Sequence, residues 1–499
     1  MLLKRTVQAA TALLLATVMA TTEAAAADVT LVVGQAVRPT QFHPLLAPGG
    51  GRETRAIKRQ IFDALVVQDD NLRPQPQLAK SWTIENDVRW IFELRDDVSF
   101  HNAERFNAET VKWNLERILD PNSTAPGAST LRTLIESVEV TGEYQVTVTT
   151  KSPAPTLLIT LAFVELAPKN LVEEVGDEAF AAAPIGTGPF LFVSRDGSTV
   201  QLKRNDAYWG GPAASAEVTF TTIPELSSRI AALRAGEIHI ADQIPPDQVV
   251  QLSGNVAPAT ATGTRIFFMA MNVNEPPFDS VAVRQAVALA FDRDLIAQAL
   301  YGGRARPLNQ PAFPEMFGYQ PDLAGFRYDP AAARAVLSTV TAPVTLSVRQ
   351  VDFVLAQAVA GFLADAGLKV ELALVEDAAF NDSITGGRLQ SYVSSWGVAE
   401  GDVDAILHPH FWSERGANRR YTNYANPALD ALFYEGRSTT DSARRFAVYA
   451  DALRLLVDEA PWAVLVNPMD IYGVSNDLTG WMPSPTGMYR INEARVGGN

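Results

Sequence analysis

Cysteine is absent from all 499 residues. Its absence excludes disulfides, thiolate metal sites, cysteine nucleophiles and a lipid anchor on an N-terminal cysteine. A chain this long can bury a core without cross-links. Long apolar runs are also missing: beyond the N-terminal segment, none reaches the ~18 uninterrupted apolar residues of a membrane helix. Positive charge is in deficit. The net charge of −15 argues against nucleic acid and anionic membrane surfaces as partners. No G-x-S-x-G, H-E-x-x-H or GK[ST] phosphate loop occurs, so the sequence carries no signature of an enzyme. No internal repeat or long low-complexity segment is present.

What is present begins with a processing signal. Lys4 and Arg5 form a basic start, Ala9–Ala20 is mostly apolar, and Ala25-Ala26-Ala27 supplies a small-residue cleavage pattern before Asp28. Residues 1–27 therefore read as a signal peptide. Loss of Lys4, Arg5 and Glu23 with it leaves a mature charge of −16. The mature chain exceeds what one core usually serves, so two or more lobes are expected.

Further along, local patterns are legible. Val29–Val33 reads as a strand leading to an open loop with Phe42 and His43. Ile57–Val67 reads as an amphipathic helix running into a strand, and alternation over Arg89–Arg95 predicts a half-buried strand. Asn107 is placed to cap a helix over 108–119. Val138–Thr149 reads as one strand. Arg265–Asn274, which holds Met269, reads as a buried strand, and Val281–Leu300 as a helix stopped by Gly302-Gly303. Asp329-Pro330 opens another helix. Val344–Val348, Ala356–Ala366 and Lys369–Leu374 form a strand–helix–strand unit, which implies parallel pairing.

The most informative stretch is Ser391–Leu407, SYVSSWGVAEGDVDAIL. A buried strand ends at Trp396-Gly397, an acidic loop carries Glu400, Asp402 and Asp404, and a helix follows. A strand end opening into such a loop is a common ligand position in α/β proteins. Two readings stand side by side. Trp396 is either core or a flat wall for a ligand, and the acids either cap the helix or face a bound group.

These residues, with PQLAKSW (76–82), RWIFELRDDVSFH (89–101), FNAETV (106–111), PIGTGPF (184–190), NDAYW (205–209), GEIHI (236–240) and EAPW (459–462), resemble the family 5 solute-binding proteins that serve ABC importers of peptides, nickel and glutathione. The resemblance covers essentially the whole mature chain. Ser395 departs from it, standing where the family has glycine before the tryptophan. The family implies an α/β two-lobed periplasmic-binding-protein fold of type II, cluster C, with mixed sheets and an extra subdomain in the first lobe. Residues 28–270 with 475–499 would form that lobe, with the insertion at about 60–180, and 271–474 the second. It further implies a periplasmic monomer without cofactor, a small peptide-like solute, and an ABC permease in the inner membrane as partner.

For the ligand, the resemblance and the residue chemistry together point to Phe42, His43, Met269, Trp396, Gly397, Glu400, Asp402, Asp404 and Arg419. For Phe42, plugging the core is an equal alternative, and Arg415, Arg419 and Arg420 either clamp a ligand carboxylate or lie on an exposed loop. In peptide binders of the family, an Asp three residues after the Trp pairs with the ligand amine. That position is Ala399 here, which leaves Glu400 next door, or Asp402 or Asp404 beyond it, as the candidate substitute. The spacing Trp396, Gly401, Asp402, Asp404 is most similar to the glutathione-binding branch. Nickel-chelate or opine binding, or a secreted peptide chaperone, are the alternatives on the same fold. His408-Pro409-His410 suggests a metal pair, but two histidines do not complete a site.

Overall fold

The computed structural model describes residues 30–46, 51–125, 127–414 and 421–497. The signal segment lies outside them. Two sheets share one long strand, Trp462–Ser475. Its first half pairs antiparallel with Arg265–Met271, which in turn pairs with Ser391–Gly397. Val344–Val348 then lies parallel to both Ser391–Gly397 and Val370–Leu374, as the strand–helix–strand pattern predicts, with helix Phe353–Asp365 as the crossover. The second half of the long strand pairs with Val256–Thr262 and Ile240–Ala241, and the first-lobe sheet continues through Leu31–Gln35 to Glu217–Thr222.

The chain therefore crosses between lobes near residues 263 and 467, not at 270 and 475. Arg265–Met271 already belongs to the second sheet, and Met469–Ser475 is still in the first. Two crossing segments are tied there: Asn467 Nδ2 donates to the carbonyls of Gly263, at 2.6 Å, and Arg265, at 2.9 Å. The first lobe carries an inserted unit with its own four-stranded sheet, in the order Ala79–Glu85, Arg89–Leu94, Gln145–Thr150, Ile135–Gly142. Its separate core includes Trp90, Phe92, Phe106 and Leu115.

Capping chemistry fixes several boundaries. Asn107 accepts from Thr110 N at 3.0 Å and starts the helix Ala108–Leu119. Asp329 does the same for Ala332 N, and Gly302 ends its helix at φ 57°. Two readings are corrected. The stretch 281–300 is two helices, Val281–Leu289 and Arg293–Tyr301, because Asp292 caps Leu295 N and begins a new one. The stretch 138–149 is a hairpin that turns at Glu143-Tyr144.

The PIGTGPF and NDAYW segments have one structural purpose. Both converge on buried Asp63, which accepts from Thr187 Oγ at 3.0 Å, Trp209 Nε1 at 2.9 Å and Gln77 Nε2 at 2.6 Å. Burial raises the Asp63 carboxyl pKa, against the pull of these donors. Gly186 and Gly188 sit so close to the Ile61 backbone that a Cβ on Gly186 would lie 2.0 Å from the Ile61 carbonyl oxygen.

Candidate functional site

A cavity of about 460 Å3 opens between the first lobe and the second. This is within the range of roughly 300–1,000 Å3 usual for small-ligand sites. Arg55, Lys58, Ile159, Phe163 and Glu165 line it from the first lobe; Ala399, Glu400, Asp404, His408 and Arg437 line it from the second. Phe163 also borders a second cavity of about 710 Å3, whose walls come from the first lobe alone.

The first-lobe wall is built by helix Arg52–Ile61. Arg55, Lys58 and Arg59 fall three and four residues apart, so they share one face. Glu165 meets two of them: Lys58 Nζ is 3.3 Å from Oε2 and Arg59 Nε 3.3 Å from Oε1. Burial opposes ionisation of Glu165, but Lys58 and Arg59 outweigh it and hold the carboxyl below its ordinary range. The Arg55 guanidinium lies over the Phe163 ring, 5.3 Å from its centroid.

The second-lobe wall is the acidic loop and the helix Asp404–Phe411. Asp402 is committed within its lobe. It accepts from Arg445 at 2.6 and 2.9 Å and from Asp404 N at 2.9 Å. Asp404 accepts from the Tyr449 hydroxyl at 2.7 Å and lies 3.8 Å from Arg437 Nε. These two acids border the cavity but are held by Arg445 and Tyr449 of their own lobe, and neither caps the helix, whose N-cap position is Val403. Glu400 differs. It borders the cavity, and desolvation raises its pKa above the usual carboxylate value, with Arg55 acting in the opposite sense.

The remaining predicted residues scatter. Phe42 and His43 are corrected to core residues of the first lobe. Phe42 is 1 % exposed and packs on Phe192, while His43 is fully buried, 3.1 Å from Asp177 and edge-on to Phe180. Met269 is likewise corrected: it is fully buried in the second-lobe core, because its strand has sheet neighbours on both sides. Trp396 is half-buried at the strand end, edge-on to His410 with ring centroids 4.4 Å apart, and is not one of the cavity-lining residues. Gly397 is exposed beside it. Arg419, with Arg415 and Arg420, lies outside the described residues. The two histidines diverge. His408 stacks on Trp412 and contacts Arg437, whereas His410 is caged by Trp396, Trp462 and Tyr421. Burial, then the Arg437 charge, lowers the His408 pKa to about 4. Among the described residues no group of three or more His, Asp or Glu is arranged to hold a metal, and no helix is long and apolar enough to cross a membrane.

The sequence reading missed Arg55 because it started the helix at Ile57, five residues late. The cationic stripe Arg52, Arg55, Lys58, Arg59 was the available signal.

The lobes also touch beside the cavity. A hairpin, Val66–Gln68 with Pro74–Pro76, reaches from the first lobe. Its tip residue Leu72, at φ 59°, is fully buried in a second-lobe cluster that includes Phe313, Val398 and Val403. Gln68 Nε2 donates to the carbonyls of Ala399, at 3.0 Å, and Glu400, at 3.2 Å.

Two lobes with mixed sheets, joined by one shared strand and enclosing a charged cavity, define a two-lobed periplasmic-binding-protein fold. The sequence profile described as "Bacterial extracellular solute-binding proteins, family 5 Middle" matches residues 73–418, and the chain belongs to this family. It is 26% identical over 502 residues to Heme-binding protein A of Haemophilus influenzae, covering 92% of this chain and 90% of that one. It is 27% identical over 494 residues to the Glutathione-binding protein GsiB of Pectobacterium atrosepticum, covering 94% of each. The solved periplasmic binding protein DppA of Helicobacter pylori, in complex with the peptide STSA, superposes with a TM-score of 0.73 at 23% identity, covering 94% of this chain and 98% of that one. These relatives are substrate-binding proteins rather than enzymes, and the chain is a solute-binding protein of the kind that serves ABC importers.

Proposed function

We propose that this protein is exported by its N-terminal signal and works as a monomeric periplasmic receptor that captures a small peptide-like solute, a di- or oligopeptide or glutathione, and hands it to an ABC permease. The observation that carries this reading is the cavity lined by both lobes, with Glu400 on the second-lobe wall where the family's amine-binding acid is replaced by Ala399. A ligand held by both walls favours the closed arrangement, because its binding energy is gained only when the lobes approach. Glu400 supplies a carboxylate for the solute ammonium, whose burial without a partner would be costly. Likeness to the glutathione- and peptide-binding relatives supports the same ligand class.

The test is a thermal-shift screen of the mature chain with dipeptides, tripeptides, glutathione, opines, nickel–histidine and haem. A ligand that binds only the folded form raises its melting temperature. A shift with glutathione or short peptides supports the reading; a shift with haem, an opine or the nickel chelate alone replaces it.

A further inference from the structure

Resting on the peptide-like reading above, we infer that Arg55 is the carboxylate clamp of this site and that, with Glu400 across the cavity, it selects solutes bearing both a free carboxylate and a free ammonium group.

Three cations, Arg55, Lys58 and Arg59, share one helix face, and one carboxylate, Glu165, lies among them. Lys58 donates to one of its oxygens, and Arg59 lies in ion-pair range of the other at 3.3 Å without a hydrogen bond. Arg55 is left over. Among the described residues its guanidinium makes no ion pair, and its Nε is buried without a hydrogen-bond partner. Of the nearby charges, Glu165 and Glu400 favour the guanidinium, while Arg59 and Arg52 oppose it. Desolvation of Arg55 outweighs the net of these and lowers its pKa, although the group stays charged. A desolvated cation that feels Glu165 and Glu400 but has neither in ion-pair contact finds its complement in an anionic ligand group.

Position and chemistry then define the class. Arg55 lies over the Phe163 ring on the cavity wall, and a guanidinium held there can offer two parallel hydrogen bonds to a carboxylate. Arg437 on the opposite wall is already engaged by His408 and Asp404, so it is not equally available. Glu400 is the matching leftover acid. It lines the same cavity, feels the Arg55 charge, and forms no ion pair among the described residues. Two uncommitted opposite charges on facing walls, belonging to different lobes, suit a ligand that carries the reverse pair at its two ends. Such a zwitterion bridges the walls and couples recognition to closure.

The experiment compares tri-alanine, tri-alanine amide, N-acetyl-tri-alanine and glutathione by calorimetry on the mature wild-type chain, Arg55→Ala, Arg55→Lys and Glu400→Gln. Wild type is expected to bind tri-alanine or glutathione, and to bind the amide about tenfold or more weakly than the free acid. Arg55→Ala should weaken the free acid by about tenfold while leaving the amide unchanged, which removes the preference; Arg55→Lys should restore part of it. Glu400→Gln should erase the preference for the free amine instead. An unaltered unliganded melting temperature confirms that each variant folds; should Arg55→Ala fail to fold, Arg55→Lys carries the comparison. Equal binding of acid and amide by wild type overturns the Arg55 assignment while leaving the receptor reading intact, as does a preference that survives the Arg55 substitutions. No binding of any of these probes overturns both.

Discussion

Leu72 and Gly401 meet across the two lobes so closely that a Cβ on Gly401 would lie 2.3 Å from the Leu72 Cβ. Gly401 also sits at φ 66°, where other residues are strained. Gly401→Ala should therefore cost about 1–3 kcal/mol from backbone strain alone and push the hairpin tip out of the second-lobe cluster. Denaturant unfolding reads the stability loss, and small-angle scattering reads the looser lobe arrangement. Unchanged values in both would contradict the contact.

Asp402 and Arg445 form a buried bidentate pair that anchors the acidic loop to helix Ser442–Glu459. Removing one partner strands a buried charge, which costs about 3–5 kcal/mol. Arg445→Met should thus lower unfolding stability by several kcal/mol, measured by urea titration. A drop below about 1 kcal/mol would show that the pair is dispensable.

Glu400 should behave in the opposite way. It contributes no internal ion pair among the described residues, so Glu400→Ala should leave the unliganded melting temperature within a degree or two. Affinity for an amine-bearing solute should fall roughly tenfold, about 1.4 kcal/mol. Calorimetry with the best ligand of the screen separates the two effects.

Acid sensitivity should trace partly to His43. Burial depresses its pKa to about 4 from 6.5, against the opposing pull of Asp177. The unfolded chain therefore binds the proton first as pH falls. Stability owed to neutral His43 is complete above pH 6.5 and is lost progressively down to about pH 4, on the order of 3 kcal/mol in all. Asp242, raised by burial to about 6, works in the reverse direction within that window. The readout is consequently a difference: His43→Gln should unfold with a flatter pH dependence between 6.5 and 4 than wild type.

The contrast between what was readable and what was not has physical causes. Caps at Asn107, Asp329 and Gly302 were readable because their hydrogen bonds and dihedrals are local. The parallel unit at 344–374 was readable because periodicity changes from two to 3.6 and back. The turn at Glu143-Tyr144 lacks the usual Asn-Gly or Asp-Gly pair, so the hairpin looked continuous. At the candidate site, Glu400, which borders the cavity, stood out through its neighbours in the chain. Phe42, His43 and Met269 were misplaced because burial depends on partners such as Phe180 and Phe192, far away in sequence. Arg55 was overlooked because what sets it apart is the carboxylate it fails to reach, which only the folded arrangement of Lys58, Arg59 and Glu165 reveals.

The ribbon Trp462–Ser475 is stitched into one sheet by its first half and into the other by its second. Asn467 clasps the neighbouring chain at the changeover, holding Gly263 and Arg265 together. Such a clasp behaves like a leaf hinge. Bending about the line through residues 263 and 467 keeps the ladders to Arg265–Met271 and Val256–Thr262 and loads only the short strand Ala305–Pro307 that straddles Asn467, whereas sliding one sheet past the other would tear both ladders. The join between the jaws therefore favours swinging over shear.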